Sequence, residues 1–166
     1  MQEVEHAYTA PRVADDKTIP AEVIRYLDGA DLPTKNQALR LSTVDAAGWP
    51  HAALLSAGDM LAMSPQRIRF VLFPQSTTVA NLLRDGRVTI TFSLNGGMCE
   101  LRLHVRRLSH TAPDTPLAFF EAELETARHH AAPYASIATG VTFALHEPAS
   151  VLPRWQRQLA ALRAAS

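Results

Sequence analysis

The sequence predicts a mainly β protein: an antiparallel barrel, closed or half-closed, of about six strands with short flanking helices. Several segments of strand length alternate between apolar and polar residues, as strands do when one face of a sheet is buried. Most are joined by short turns containing Gly or Asn, which is typical of hairpins. Helical periodicity appears only at the interruptions, whereas a parallel sheet needs a long crossover, usually a helix, between its strands.

The composition fits one globular domain. The chain has 166 residues, of which 47% are hydrophobic and 19% are charged, and this length favours one core rather than two. The 16 basic and 16 acidic residues cancel, so no net field favours nucleic acid or an anionic membrane as a partner. The opening residues lack an apolar signal core, and no apolar run could span a bilayer, so we expect a cytoplasmic protein.

Neither the cysteine nor the histidines indicate a reactive or metal site. The single cysteine, Cys99, falls on the apolar side of an alternating segment, where a thiol is usually an inert packing group. The seven histidines show no pairing with carboxylates or thiolates at ligand spacing. We therefore expect no metal, and no side chain is indicated as catalytic.

The first residues predict an arm and a short helix. Residues 1–18 mix charges and small residues without periodicity, which indicates a flexible arm and leaves residues 19–166 as the single barrel domain. In dimers such an arm often lies across the partner. Pro20 and Gly29 then bracket a short helical pattern, since Pro suits the first turn of a helix and Gly its end.

The next segments predict a hairpin, a strand and a helix. Residues 38–44 and 49–56 alternate on either side of a turn with Gly48 at the position that requires glycine. Residues 68–73 form an almost continuous apolar run between prolines, as expected for a strand buried on both faces. Residues 77–86 change to helical spacing and end in glycine.

The second half predicts another hairpin, two helices and a last strand. Residues 87–94 and 98–108 alternate strictly around an Asn-Gly-Gly turn. A Pro-containing start and an apolar stripe predict a helix over residues 114–130. Residues 137–145 alternate again as a strand, and Pro153 opens a helix that carries one apolar side.

The segment between the apolar strand and the following helix is a candidate anion site. Ser76, Thr77 and Thr78 place hydroxyl groups beside the unpaired backbone N–H groups of a helix start, where a phosphate fits. An ordinary N-cap explains the same residues without any ligand. Arg40, on the polar side of the first long strand, could bring a positive charge to an anionic ligand or pair with an acidic neighbour.

The sequence also resembles a known family. Three stretches, LRLSTVDAAGWPHAALLSAG, RIRFVLFPQSTTVANLLRDGRVTITF and ELRLHVRRL, follow the pattern of the split β-barrels of the pyridoxamine 5′-phosphate oxidase-like superfamily. The likeness covers residues 37–108. It implies an antiparallel split β-barrel that forms a homodimer, with FMN bound in two clefts at the interface.

The resemblance also implies which residues bind FMN. Three groups of residues correspond to the family's positions near the ribityl phosphate, beside the isoalloxazine ring, and at the turn that closes the phosphate end. They are Arg40, Ser42 and Thr43 near the phosphate, Leu54, Leu55 and Ser56 beside the ring, and Gln75, Ser76, Thr77, Thr78 and Asn81 at the closing turn.

Two functional hypotheses follow from the resemblance. The first is an FMN-dependent oxidoreductase that acts on a small substrate, in which the protein orients the flavin and the flavin carries the redox chemistry. The alternative is a non-enzymatic dimeric barrel that binds a flavin, haem or another planar ligand, or no cofactor. The turn at residues 76–78 contains no Arg or Lys, although family members that hold FMN firmly usually have one there, and this favours the alternative.

Overall fold

The computed structural model describes residues 7–13, 17–109, 112 and 114–166. Strands dominate this part of the chain, and its helices are few. The elements are, in chain order, β1 (Arg12–Val13), α1 (Ala21–Tyr26), a 3-10 turn (Leu32–Thr34), β2 (Leu39–Val44), β3 (Pro50–Leu55), β4 (Met60–Ser64), β5 (Arg67–Leu72), α2 (Thr77–Asp85), β6 (Arg87–Leu94), β7 (Gly97–Arg107), β8 (Ala118–His130) and α3 (Pro148–Ala164).

The strands form one antiparallel sheet in the order β3-β2-β6-β7-β8-β5-β4, and β1 pairs separately with β8. Within the described residues no ladder joins β3 to β4, so the curled sheet stays open on one side. The predicted split β-barrel with flanking helices is therefore confirmed. Seven strands form the main path where about six were expected, because β4 was not recognised, β8 was assigned to a helix, and residues 137–145 were assigned to a strand. The short β1 was not predicted either.

Local turn chemistry fixes both predicted hairpins. Gly48 closes the turn between β2 and β3 with φ of +87°, a left-handed conformation that glycine adopts at little cost. Asn95 and Gly96 join β6 to β7 with φ of +49° and +73°, as a two-residue hairpin of the Asn-Gly type requires. The resulting register pairs Ile90 with Leu101 on the core side of the sheet.

The main core lies inside the curl of the sheet. The alternating residues of β2, β6 and β7 predicted to face inward do so, whereas Ile137 and Val141, also predicted as core residues, are exposed. The largest fully buried side chains include Leu39, Leu41, Ile68, Phe70, Ile90, Leu101 and Leu103. The predicted helices α1 and α2 are present, and Gly86 ends α2 with φ of +72°. A second apolar cluster forms where α3 packs on β4 and β5.

The helix predicted over residues 114–130 is wrong, because this segment contains β8, the longest strand. Phe120 and Leu124 have helical spacing among good helix formers. They fit a period of two equally well, with Ala122 between them, and all three are buried. β8 pairs with β7 on one edge and with β5 on the other. These ladders override the local helical propensity.

The strand predicted over residues 137–145 is also wrong. The segment is irregular apart from one bridge between Gln37 and Thr142. Its neighbour is the short stretch before β2, which offers isolated backbone hydrogen bonds and no continuous ladder. Phe143 and Leu145 nevertheless pack against the α3 cluster, as expected of core residues.

The two ends of the chain differ in smaller ways from the prediction. Part of the predicted arm, residues 1–6 and 14–16, lies outside the described residues. Arg12 and Val13, within that arm, pair with β8. The last helix begins at Pro148 instead of Pro153, and its predicted apolar side is buried as expected.

Candidate functional site

A cavity of about 690 Å³ lies on the open side of the barrel, between β3 and β5. Its other walls are the start of α2, the irregular segment at residues 141–145, and α3. The volume is within the range of small-molecule sites. Part of the predicted cofactor site lines this cavity: Leu54, Leu55, Ser56, Ser76 and Thr78.

A small polar network fixes Ser56 in the cavity wall. The hydroxyl and the backbone N–H of Ser56 donate to Asp59 Oδ2, at 2.8 and 3.0 Å. Gln158 Nε2, from α3, donates to Asp59 Oδ1 at 3.0 Å and to the carbonyl oxygen of Gly58 at 3.1 Å. Both carboxylate oxygens of Asp59 therefore have partners, and the network joins α3 to the connection between β3 and β4.

Close packing places aromatic rings in the α3 wall. A Cβ atom at Gly58 would lie 2.0 Å from Cδ2 of Trp155, so only glycine lets the indole approach this closely. The Trp155 ring is buried and meets Phe143 edge to face, with 6.2 Å between the ring centroids. Both aromatic residues line the cavity, which gives it an apolar wall suited to a flat ligand.

The start of α2 forms the polar end of the cavity on the β5 side. Ser76 is the N-cap, and its Oγ accepts a hydrogen bond from the Val79 N–H at 3.2 Å. Ser76 therefore caps α2, as an ordinary N-cap would. Thr78 is buried in the first turn and also faces the cavity. The positive end of the helix dipole at this point favours a negative group in the cavity.

Thr43 and Asn81 do not line the cavity. They are both buried, and Asn81 Nδ2 donates to Thr43 Oγ1 at 2.9 Å. Arg84 Nη1 donates to Asn81 Oδ1 at 3.4 Å, and Nη2 of the same guanidinium donates to the Val44 carbonyl oxygen. These contacts tie α2 to β2 and thereby position the helix start.

The remaining predicted residues lie outside the cavity. Arg40 is the register partner of Leu54, and paired residues share a face of the sheet. Arg40 and Ser42 therefore lie on the outer face, opposite the core, while Leu54 stands 53% exposed at the cavity rim. Gln75 and Thr77 are exposed in the turn before and at the start of α2.

The polar side chains of the α3 wall are absent from the site predicted from the sequence. Arg154, Arg157 and Gln158 line the cavity, and their spacing of three and four residues places them on one side of the helix. That spacing beside Trp155 is a signal visible in the sequence. It does not reveal the partner, because Gly58 and Gln158 are 100 positions apart in the chain.

A second polar cluster lies away from this cavity and holds the end of α3. Buried Glu121 accepts hydrogen bonds from Arg69 Nε at 2.9 Å and from Arg106 Nη2 at 2.7 Å. Arg69 Nη1 also donates to the carbonyl oxygens of Leu162 and Ala165. Burial acts to raise the pKa of the Glu121 carboxyl, but the two arginines outweigh it and hold the pKa below its usual value.

Other candidate chemistry is sparse. Cys99 is buried, and burial together with the nearby Glu100 raises the pKa of its thiol to about 11, which leaves it protonated and unreactive. Over the described part of the chain, no three His, Cys, Asp or Glu side chains come together as a metal site. No helix among these residues is long and apolar enough to cross a membrane.

Comparison with solved structures shows which known proteins share this fold. A candidate pyridoxamine 5′-phosphate oxidase from Lactobacillus delbrueckii superposes with a TM-score of 0.55 at 16% identity, over 70% of this chain and 98% of that one. HupZ of Group A Streptococcus gives 0.54 at 13% identity, over 72% of this chain and all of that one. At these identities the likeness concerns the fold alone, which is a split β-barrel.

Comparison with curated sequences identifies the family of the chain. It is 36% identical over 145 residues to the uncharacterized protein YclD of Bacillus subtilis (strain 168), across 82% of this chain and 90% of that protein. The chain therefore belongs to the YclD family. No family model matches the sequence.

Proposed function

We propose that this protein is an FMN-binding flavoprotein that acts as an oxidoreductase on a small substrate. The observation that carries the proposal is the composition of the cavity on the open side of the barrel. Its long walls are apolar, and one end is the start of α2 with Ser76 and Thr78. A flavin has the matching parts, since its ring system is flat and largely apolar and its phosphate is anionic.

The residues of the cavity fit FMN in character. Leu54 at the rim and Leu55 in the wall offer separate aliphatic contacts to the ring, and Trp155 lies in the α3 wall. Ser56 is fixed by Asp59 and presents a polar edge to a ring heteroatom. At the phosphate end, the Thr78 hydroxyl and the dipole of α2 favour negative charge.

The other predicted residues have supporting roles in this proposal. Thr43 and Asn81 hold the start of α2 in place and do not touch the ligand. Gln75 and Thr77, on the exposed side of the turn, would reach the phosphate from solvent. Arg40 and Ser42 lie on the outer face of the sheet and would meet a flavin only where a second subunit completes the cleft.

When bound, FMN supplies the redox chemistry. The protein's own side chains bind and orient the ring, exclude water from one face, and leave the rim near Leu54 open for a substrate. The described lining contains no histidine, lysine, tyrosine or cysteine. Its acid–base groups are Asp59, whose carboxylate is held by Ser56 and Gln158, and the exposed Asp114. In this proposal the main contribution of the chain is alignment.

The same lining argues against haem as the occupant of this cavity. Protein side chains that hold haem iron are His, Cys, Met or Tyr. None of these residue types is among the described residues that line the cavity. The haem version of the alternative hypothesis thus lacks an axial ligand there, whereas flavin needs none.

A homodimer forms part of the proposal. Leu54, Phe73 and Val141 line the cavity while 53%, 71% and 57% exposed. Exposed apolar side chains grouped around one opening are typical of surfaces that bind a ligand or a partner. A second copy of the chain placed over this opening would cover them and close the cofactor cleft.

The test is to incubate the purified protein with FMN, desalt it, and record the visible spectrum and the mass in solution. We expect about one retained flavin per chain in a particle of twice the chain mass. Leu54→Trp should obstruct the rim of the cavity and abolish retention. Val44→Trp is the matched control, since Val44 is an exposed apolar residue on the neighbouring β2 outside the cavity. Absence of flavin from the native protein would refute the proposed function.

A further inference from the structure

Two arginines give the cavity a positive wall. Arg154 and Arg157 both line it from α3. Within the described residues neither guanidinium has a carboxylate within 4.0 Å, although six Arg or Lys side chains pair with carboxylates elsewhere. The α3 helix is fixed beside the cavity by Trp155 against Gly58 and by the hydrogen bonds of Gln158. A fixed helix therefore carries both arginines, whose side chains are exposed at the cavity.

The described lining holds two acidic residues, Asp59 and Asp114, beside the two arginines, and neither pairs with them. Asp59 uses one carboxylate oxygen for Ser56 and the other for Gln158. Asp114 lines the cavity and is exposed, but it forms no ion pair with either arginine. An anion that enters the cavity would find guanidinium donors without a competing partner, and guanidinium groups bind carboxylates and phosphates in a bidentate manner.

We propose that Arg154 and Arg157 form an anion site for the substrate, so that the cavity accepts small apolar molecules that carry a carboxylate or phosphate. That the bound anion is a substrate rests on the proposed flavoprotein function. The anion site itself does not, because it depends only on the charges and contacts of α3. An apolar wall with two cations at one side selects molecules that combine a flat or aliphatic body with one negative group.

A pair of fluorescent probes tests the charge preference directly. The probes are 8-anilinonaphthalene-1-sulfonate and N-phenyl-1-naphthylamine, which share their rings but differ in the negative sulfonate. On flavin-free protein we expect the anionic probe to bind more tightly, by roughly tenfold. The double variant Arg154→Gln/Arg157→Gln should lose this preference, and Arg154→Lys/Arg157→Lys should keep part of it. Arg163→Gln, on the same helix outside the cavity, is the control.

The affinities of the same variants for FMN and riboflavin separate this proposal from the proposed function. Unchanged FMN affinity in the Gln double variant, together with loss of the probe preference, supports a substrate site. A parallel loss of FMN affinity, with riboflavin unaffected, would mean that the arginines hold the cofactor phosphate and would overturn the substrate assignment. Equal binding of the two probes to the native protein, or an equal effect of Arg163→Gln, would also overturn it. If FMN binds neither the native protein nor any variant, the proposed flavoprotein function is refuted and the anion site is not.

Discussion

Asn81 on α2 donates its side-chain amide to the hydroxyl of Thr43 on β2 at 2.9 Å, and both side chains are buried. The family resemblance places both residues at the FMN phosphate. In the fold they satisfy each other instead, and with Arg84 they anchor the helix start to the sheet. In the proposed function, their effect on a ligand at Ser76 would be indirect.

We predict that removing this hydrogen bond affects stability more than ligand binding. Asn81→Ala should lower the free energy of unfolding by about 1 to 3 kcal/mol, because Thr43 keeps a buried hydroxyl without a partner. Thr43→Val should cost a similar amount, and the double variant less than the sum of the two. Urea unfolding of the native protein, the two single variants and the double variant gives the coupling free energy between the two side chains. Additive losses would mean that the two side chains do not interact in solution.

Gly58→Ala tests the contact that brings α3 to the cavity. The new Cβ would lie 2.0 Å from Cδ2 of Trp155, so the indole or the backbone must move, at a cost of about 1 to 3 kcal/mol. Thermal or urea unfolding measures this cost. In a Trp155→Ala background the obstacle is gone, and we expect the same glycine substitution to cost much less. An equal cost in both backgrounds would assign the effect to the backbone.

Glu121 should make the protein lose stability in acid. Its pKa is lower in the folded protein than in the unfolded chain, so the folded state binds protons less readily. The stabilisation is present above the unfolded pKa of about 4.3 and is lost as the pH falls through the lower folded pKa. Glu121→Gln should cost about 2 to 4 kcal/mol at neutral pH, since it leaves Arg69 without its buried partner.

The pH dependence separates this role from simple packing. Between about pH 5 and pH 3, the free energy of unfolding measured in urea should fall less steeply with decreasing pH for Glu121→Gln than for the native protein. Glu123→Gln is the control, because Glu123 lies on the same strand and is exposed. Identical slopes for the native protein and Glu121→Gln would show that Glu121 does not contribute to acid unfolding.

The elements that the sequence predicted correctly are those fixed by nearby residues. Gly48 and the Asn95-Gly96 pair determine their hairpins, and Ser76 and Gly86 determine the two ends of α2. In each case the signal and the structure that it causes are a few residues apart. The alternation of apolar and polar residues then predicted which side chains of the hairpin strands face the core.

The errors concern structure that depends on distant partners. Local propensity favours a helix for β8, yet two ladders with distant strands decide its conformation. The α3 wall of the cavity exists because Gln158 meets Gly58, which no local pattern encodes. The sequence also grouped Arg40 with Leu54, and the register does pair them on the outer face, but only Leu54, on the edge strand β3, reaches the cavity.

Substitutions at Ser76 can separate its role as an N-cap from a role in phosphate binding. Asp and Asn both cap helices about as well as Ser, so Ser76→Asp and Ser76→Asn should unfold within about 0.5 kcal/mol of the native protein, whereas Ser76→Ala should lose about 1 kcal/mol. If the FMN phosphate lies at the start of α2, the Asp carboxylate will repel it. FMN affinity should then fall roughly tenfold or more in Ser76→Asp relative to Ser76→Asn. Riboflavin, which has no phosphate, should bind both variants alike. Flavin titrations and urea unfolding of the same preparations give both quantities, and equal FMN affinity in the Asp and Asn variants would leave Ser76 with its structural role only.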